Sequence, residues 1–190
     1  MNLGDGKRKA LMILDEYSSG GEITVDEDIN NKMADFFDIG QKDILNVSPI
    51  IKETVIDFSV GTESQGQILC SLPSDFKSFF RIWKNGKRVS LYPMRQGKLA
   101  APLGSTGTIL VEYTAYPQTI NSSTPDEYEF EVSEAAANCL PFFVASQQLI
   151  TDLVVDYSAI WQMYVALRSQ LSPELPSGGS GGVRQTFFRR

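Results

Sequence analysis

The apolar residues of this chain change their spacing twice, and that limits the folds open to it. Up to about residue 48 they recur every three or four positions; from Glu53 every second position; after Ser133 the longer spacing returns. A repeat near 3.6 collects apolar side chains on one stripe of a helix, whereas a repeat of two puts them on one face of a strand. The expected order is therefore helices, a β-rich region, then helices again.

Residues 6–18 are expected to form the first helix, with Ala10, Leu11, Ile13, Leu14 and Tyr17 in register and Ser18-Ser19-Gly20-Gly21 ending it. Thr24 with Glu27 three positions on reads as a capping box, and Asp26 and Asp28 suit the positive end of a second helix. Ile29, Met33, Phe36, Phe37, Ile44 and Val47 carry its stripe to Ser48-Pro49, interrupted by Gly40. The two helices are expected to form a hairpin.

In the β-rich region, Val55, Ile56, Phe58 and Val60 precede a strand over 67–72. Residues 79–84 run into Asn85-Gly86, the strongest short signal for a two-residue hairpin turn, and 87–92 return. A shorter pair surrounds Gln96-Gly97, and 108–116 form a strand closed by Pro117. About five strands in a small antiparallel sheet or barrel are expected. Strict alternation places Phe80, Ile82 and Lys84 on one face, and Phe79, Arg81 and Trp83 on the other.

Tyr128, Phe130 and Val132 then alternate with Glu127, Glu129 and Glu131, and Ser133 caps a third helix that Pro141 should kink. Its inward face would carry Ala136, Cys139, Leu140, Phe143 and Leu149 or Ile150. A fourth helix is expected from about 152, with Leu153, Tyr157, Ile160, Trp161, Tyr164, Leu167 and Leu171 on one face. Past Ser172 comes a Pro, Gly and Ser linker to Gly182, and then Val183-Arg184-Gln185-Thr186-Phe187-Phe188-Arg189-Arg190.

The 190 residues contain no histidine, which excludes Ser-His-Asp and Cys-His nucleophile arrangements and the HExxH metal helix. Cys70 and Cys139, the only cysteines, cannot build a four-cysteine zinc site within one chain; two buried free thiols are expected, with a lone disulfide as the alternative. Lys7, Arg8 and Lys9 stand before only five apolar residues, too few for a signal peptide, and the uncharged stretch 135–151 is broken by Asn138, Pro141 and Gln147. A soluble chain without a secretion address or membrane span is expected.

Charge is unevenly placed. The formal net charge is −6, yet the stretch 77–98 holds Lys77, Arg81, Lys84, Lys87, Arg88, Arg95 and Lys98 and no acid, and the last eight residues add three arginines. The rest of the chain then carries −16. Such separation suits contact with an acidic neighbour, another copy included, with Lys84, Lys87 and Arg88 around the hairpin turn as the inter-subunit or partner contact. The alternative is a solvated hairpin whose lysines blunt a sheet edge.

The acidic run Asp126, Glu127, Glu129, Glu131 and Glu134 matches no calcium-loop pattern, and a solvated glutamate face accounts for it. Asp152 and Asp156 lie one helical turn apart, as a carboxylate dyad would, but Asp43 and Asp57 are equally available. Gly104-Ser105-Thr106-Gly107-Thr108 feeds a strand, unlike a phosphate-binding loop, and reads as a tight turn. Phe79, Phe80 and Trp83, interleaved with Arg81 and Lys84, divide between two faces and read mainly as core. Phe187 and Phe188 on a glycine tether instead suggest a docking arm, since burying both would contribute on the order of 3–5 kcal/mol before ordering costs. No metal, cofactor or enzymatic activity is expected.

Three segments give the layout a family likeness: the leading helix pair; Leu72-Pro73-Ser74-Asp75-Phe76 opening a sheet that ends in Thr108-Ile109-Leu110-Val111-Glu112-Tyr113; and Leu140-Pro141-Phe142-Phe143-Val144-Ala145-Ser146 before an aromatic last helix. In these, residues 1–172 resemble the adaptor, or head-to-tail connector, proteins of tailed bacteriophages. The resemblance implies an α+β fold: a four-helix bundle of two N-terminal and two C-terminal helices, an inserted small antiparallel β-domain and a flexible C-terminal arm. The divisions would be 1–52, 53–120, 121–172 and 173–190. It also implies a structural virion protein assembled in the bacterial host cytoplasm as a dodecameric ring beneath the portal protein. Such a ring extends the DNA channel toward the next neck or tail protein, and packaged DNA passes without sequence-specific binding. Arg184, Phe187, Phe188, Arg189 and Arg190 match the portal-gripping arm by position and chemistry. Two other classes remain: a β-rich carbohydrate or receptor-binding module stacking sugars on Trp83 and tyrosines, and a single-stranded nucleic-acid binder using the basic island.

Overall fold

A computed structural model describes residues 1–17, 27–151 and 157–171. Helix α1 (Leu3–Tyr17) and helix α2 (Glu27–Ile44) come first. Asn2 caps α1, its side-chain oxygen accepting from Asp5 N at 2.7 Å. Two of the helix's unpaired amides, Leu3 N and Gly4 N, donate to the carbonyls of Tyr128 and Asp126 at 2.8 and 2.9 Å. Lys7 adds an ion pair to Asp126 at 2.8 Å. The start of the chain is thereby pinned to the 126–132 segment, where Phe130 and Val132 are buried and Glu127, Glu129 and Glu131 exposed. The capping residue expected at Thr24 lies outside the described residues.

The β-region holds eight strands: β1 (Ile50–Asp57), β2 (Thr62–Ser64), β3 (Gln67–Cys70), β4 (Phe76–Lys84), β5 (Lys87–Val89), β6 (Met94–Arg95), β7 (Lys98–Pro102) and β8 (Thr108–Ala115). They form two antiparallel sheets of four, in the orders β1-β8-β4-β5 and β2-β3-β7-β6. Ile56, Ile82, Ile109, Val111 and Tyr113 from the first sheet share one apolar core with Ile68, Cys70, Leu99 and Ala101 from the second. Three two-residue turns close the hairpins, at Gln65-Gly66, Asn85-Gly86 and Gln96-Gly97, and both residues of each have φ between 50° and 75°. That is the geometry whose twist matches the flanking strands. Phe58 and Val60, expected to continue the first strand, instead form a 3₁₀ turn (Phe58–Val60), where the Asp57 side chain accepts from Ser59 N at 2.8 Å.

The last helices are α3 (Glu134–Ala137), α4 (Leu140–Thr151) and α5 (Ser158–Ser169). Ser133 does cap α3, its hydroxyl accepting from Ala136 N at 3.3 Å. Pro141 produces no kink, because the chain breaks at Asn138 and Cys139 and Pro141 falls in the first turn of α4, where its missing N–H costs nothing. Helix α4 is the hub: α1, α2 and α5 each pack on it and contact one another sparsely. Its Leu140, Phe143, Val144, Ala145 and Leu149 are buried within the helical core.

This arrangement corrects the expected class. The fold is α+β, but it is not a four-helix bundle carrying a small β-insert. A bundle needs helices that each face two neighbours across a common seam. Here α3 is a single turn of four residues, and the three longer partners surround α4 separately. The β-part is correspondingly larger than expected, with eight strands in two layers over their own core.

Helix α2 approaches the hub closely at Gly40, where a Cβ would come within 2.8 Å of the Phe143 ring and 3.2 Å of Leu140 Cδ2. Gly40→Ala should destabilise the protein by about 1–3 kcal/mol despite alanine's better helix propensity. Chemical denaturation checks this, and Phe143→Leu in the same chain should recover part of the loss.

Candidate functional site

Strand β4 positions the candidate site through two irregularities. Its register against β8 runs Phe76 to Ala115, Ser78 to Thr114, Phe79 to Tyr113 and Arg81 to Glu112, so Lys77 and Phe80 are extra residues at β-bulges. The face expected for Phe79 is thereby reversed. Phe76, Phe79 and Ile82 all join the core between the sheets, with Phe76 and Phe79 rings 4.8 Å apart. Arg81 and Trp83 are left on the outer face.

On that face two rows cross the sheet. Glu53, Glu112 and Arg81 are paired through the ladders, as are Val55, Leu110 and Trp83. Glu112 is 7% exposed, and its Oε1 accepts the indole N–H of Trp83 at 2.7 Å. Its Oε2 stands 3.5 Å from Arg81 Nη1 and accepts no hydrogen bond among the described residues. The Arg81 guanidinium instead lies 4.5 Å over the Phe80 ring. Glu53 is exposed and makes no ion pair with a described residue. Beside these rows opens a cleft of about 460 Å³, lined by Val55, Trp83, Leu110 and Glu112 and by the Asn85-Gly86 turn.

The three basic residues expected at the hairpin separate. Lys84 turns toward the core side, its Nζ 5.4 Å from the Phe58 ring centre, while Lys87 and Arg88 are exposed and unpaired with any described residue. Arg184, Phe187, Phe188, Arg189 and Arg190 lie outside the described residues, as do Asp152 and Asp156. The acids of the 126–134 run have separate uses: Asp126 pairs with Lys7 and Glu131 with Lys52, and no group of three His, Cys, Asp or Glu able to hold a metal gathers among the described residues. Both cysteines are free and buried. Among the described residues no helix is long and apolar enough to cross a membrane. The tyrosines disperse, with Tyr113 and Tyr164 buried and Tyr116 beneath Lys77.

A second polar cluster joins the two parts of the fold. Lys52 Nζ on β1 donates to Asp75 at 3.0 Å and Glu131 at 2.8 Å; Tyr113 donates to Asp75 at 3.0 Å, and Gln118 N to Glu131 at 2.8 Å. Burial pushes both carboxyls up, but the hydrogen bonds from Lys52, with Tyr113 for Asp75 and Gln118 for Glu131, outweigh it and hold both below the usual range. The same bonds hold the Lys52 ammonium above its usual value.

Sequence reasoning missed Glu112, Arg81 and Glu53 as a group. The available signal was a lone acid inside the otherwise uncharged strand 108–116. No protein-family model and no curated protein matches this chain.

Because Asp75 and Glu131 titrate lower in the folded chain, they contribute stability above the ordinary carboxylate range and lose it as pH falls through their folded values. Lys52→Met should cost about 1 kcal/mol at neutral pH, discounted for the cluster's partial exposure. It should also flatten the loss of stability between about pH 5 and 2, measured by urea denaturation across that range.

Proposed function

We propose that this protein is a structural adaptor of a tailed-bacteriophage virion, a ring-forming part that attaches beneath the portal and joins head to neck or tail. The observation that carries the reading is the division of charge. A body of −16 is joined to a basic island whose Lys87, Arg88 and Arg95 are exposed and unpaired with any described residue. Cations left free within a chain are available to an acidic partner, and copies of the chain supply one.

The phrases behind the family likeness also fall at central places. Leu72 to Phe76 lead into β4 and include Asp75 of the Lys52 cluster; Thr108 to Tyr113 form most of β8, which lies between β1 and β4; Leu140 to Ser146 are the first turns of the hub helix. The four-helix bundle is no part of this reading. A dodecamer, assembly in the host cytoplasm and passage of DNA along an acid-lined channel follow from the likeness. The acidic body would repel DNA and let it slide. Residues 183–190, with Arg184, Phe187, Phe188, Arg189 and Arg190, act as the portal-gripping arm, and the protein has no catalytic role.

Co-sedimentation with a portal ring tests this. The full chain should form rings and travel with the portal, and truncation after Gly182 should weaken that binding about tenfold or more. Undiminished binding by the truncated chain removes the arm and leaves the ring. A chain that stays monomeric, alone and with the portal, overturns the reading.

A further inference from the structure

We infer that the outer face of the first sheet is the receptor for the β6–β7 hairpin of a second copy of this chain, with Arg95 entering between Glu53 and Glu112. The inference rests on the ring reading and adds to it the two surfaces that meet. On the receptor side, Glu53 and Glu112 are direct cross-strand partners, a placement that sets the Cβ atoms of two like-charged side chains about 5 Å apart. Among the described residues one cation, Arg81, stands beside Glu112, at 3.5 Å and without a hydrogen bond, and none pairs with Glu53. Glu112 Oε2 is fully buried beside the open cleft, and Val55, 65% exposed, flanks it. The face therefore lacks one positive charge.

Arg95 supplies that charge: it lies opposite Lys98 on the outer side of β6, whereas Met94 lies opposite Leu99 and faces the shared core. Arg95 is exposed and unpaired with any described residue. Strand β6 is the short edge strand of the second sheet, across the shared core from the receptor. Lys87 and Arg88 are poorer donors, because Arg88 pairs with Trp83 on β4, whose turn lines the receptor cleft. Their use would join like face to like face and stop at a dimer. Two different surfaces on separate sheets give a head-to-tail contact, the kind that repeats from copy to copy and that a ring requires.

Charge exchange tests the contact, read by sedimentation velocity. Glu53→Arg and Arg95→Glu should each raise the concentration for half-assembly about tenfold or more. Mixing the two variants, or combining both changes in one chain, should restore assembly, because each reversed charge then meets its opposite. In a Trp161→Phe background, Trp83 emission should shift on assembly and not in either single variant. Normal assembly of both single variants overturns this inference, as does a doubly changed chain no better than either. Absence of self-association by the unchanged chain, with and without the portal, instead overturns the ring reading.

Discussion

Two extra residues in one strand organise the β-half of this molecule. Lys77 and Phe80 each occupy a bulge in β4, so three core side chains, Phe76, Phe79 and Ile82, follow one another at intervals of three rather than two. The inner layer gains rings that stack against Tyr113, with Phe76 and Tyr113 5.7 Å apart. The outer layer gains Arg81 and Trp83 beside Glu112. Without the bulges, strict alternation would send Phe79 to the solvent side together with Arg81, and neither the sealed core nor the charged row would exist.

The helical half depends on a different constraint, which is close approach to α4. Gly40 lets α2 lie against Phe143 and Leu140, and Tyr164 on α5 donates to Asp43 on α2 while Arg168 pairs with the same carboxylate at 2.9 Å. Lys52 then connects the halves, because its partners belong to the loop before β4 and to the segment leading into α3. A lysine holding two carboxylates fixes direction in a way that apolar contact does not. The relative placement of sheet and helices is therefore tied to charges that acid removes.

Local features were legible in the sequence and long-range ones were not. Helix periodicity found α1 and α2 within a few residues and the stripe of α5, whose expected start near 152 lies outside the described residues, and Asn85-Gly86 found its hairpin, because stripe and turn are decided by neighbours in the chain. The division of strands into two sheets depends on pairing between residues such as Gln67 and Pro102, far apart in sequence, and no local pattern declares it. The bulges were hidden for the same reason: Phe79 follows the alternation rule until β8 is laid beside it. The bundle failed because four apolar stripes say how many helices need a partner but not that one helix, apolar on nearly every side, serves the other three. In the candidate site, the exposed cations were visible as a charge run, whereas the acid they were to be weighed against, Glu112, looked like an ordinary interruption in a strand.

The edges of the two sheets bear on how copies of such a chain meet. Three of the four edge strands, β2, β5 and β6, have two or three residues, and β5 and β6 carry Lys87, Arg88 and Arg95. Short, cationic edges resist pairing by backbone hydrogen bonds, since like charges would have to lie alongside one another. The same cations attract any surface with an excess of carboxylate, and the body of the chain is such a surface. Edge-to-edge association is therefore disfavoured and edge-to-face association favoured by one set of residues. Contacts of that kind depend on ionic strength, because exposed charges are screened beyond about 8 Å at physiological salt. A buried, partly desolvated acid such as Glu112 is screened less, so of such contacts the one proposed at the outer face of the first sheet depends least on salt.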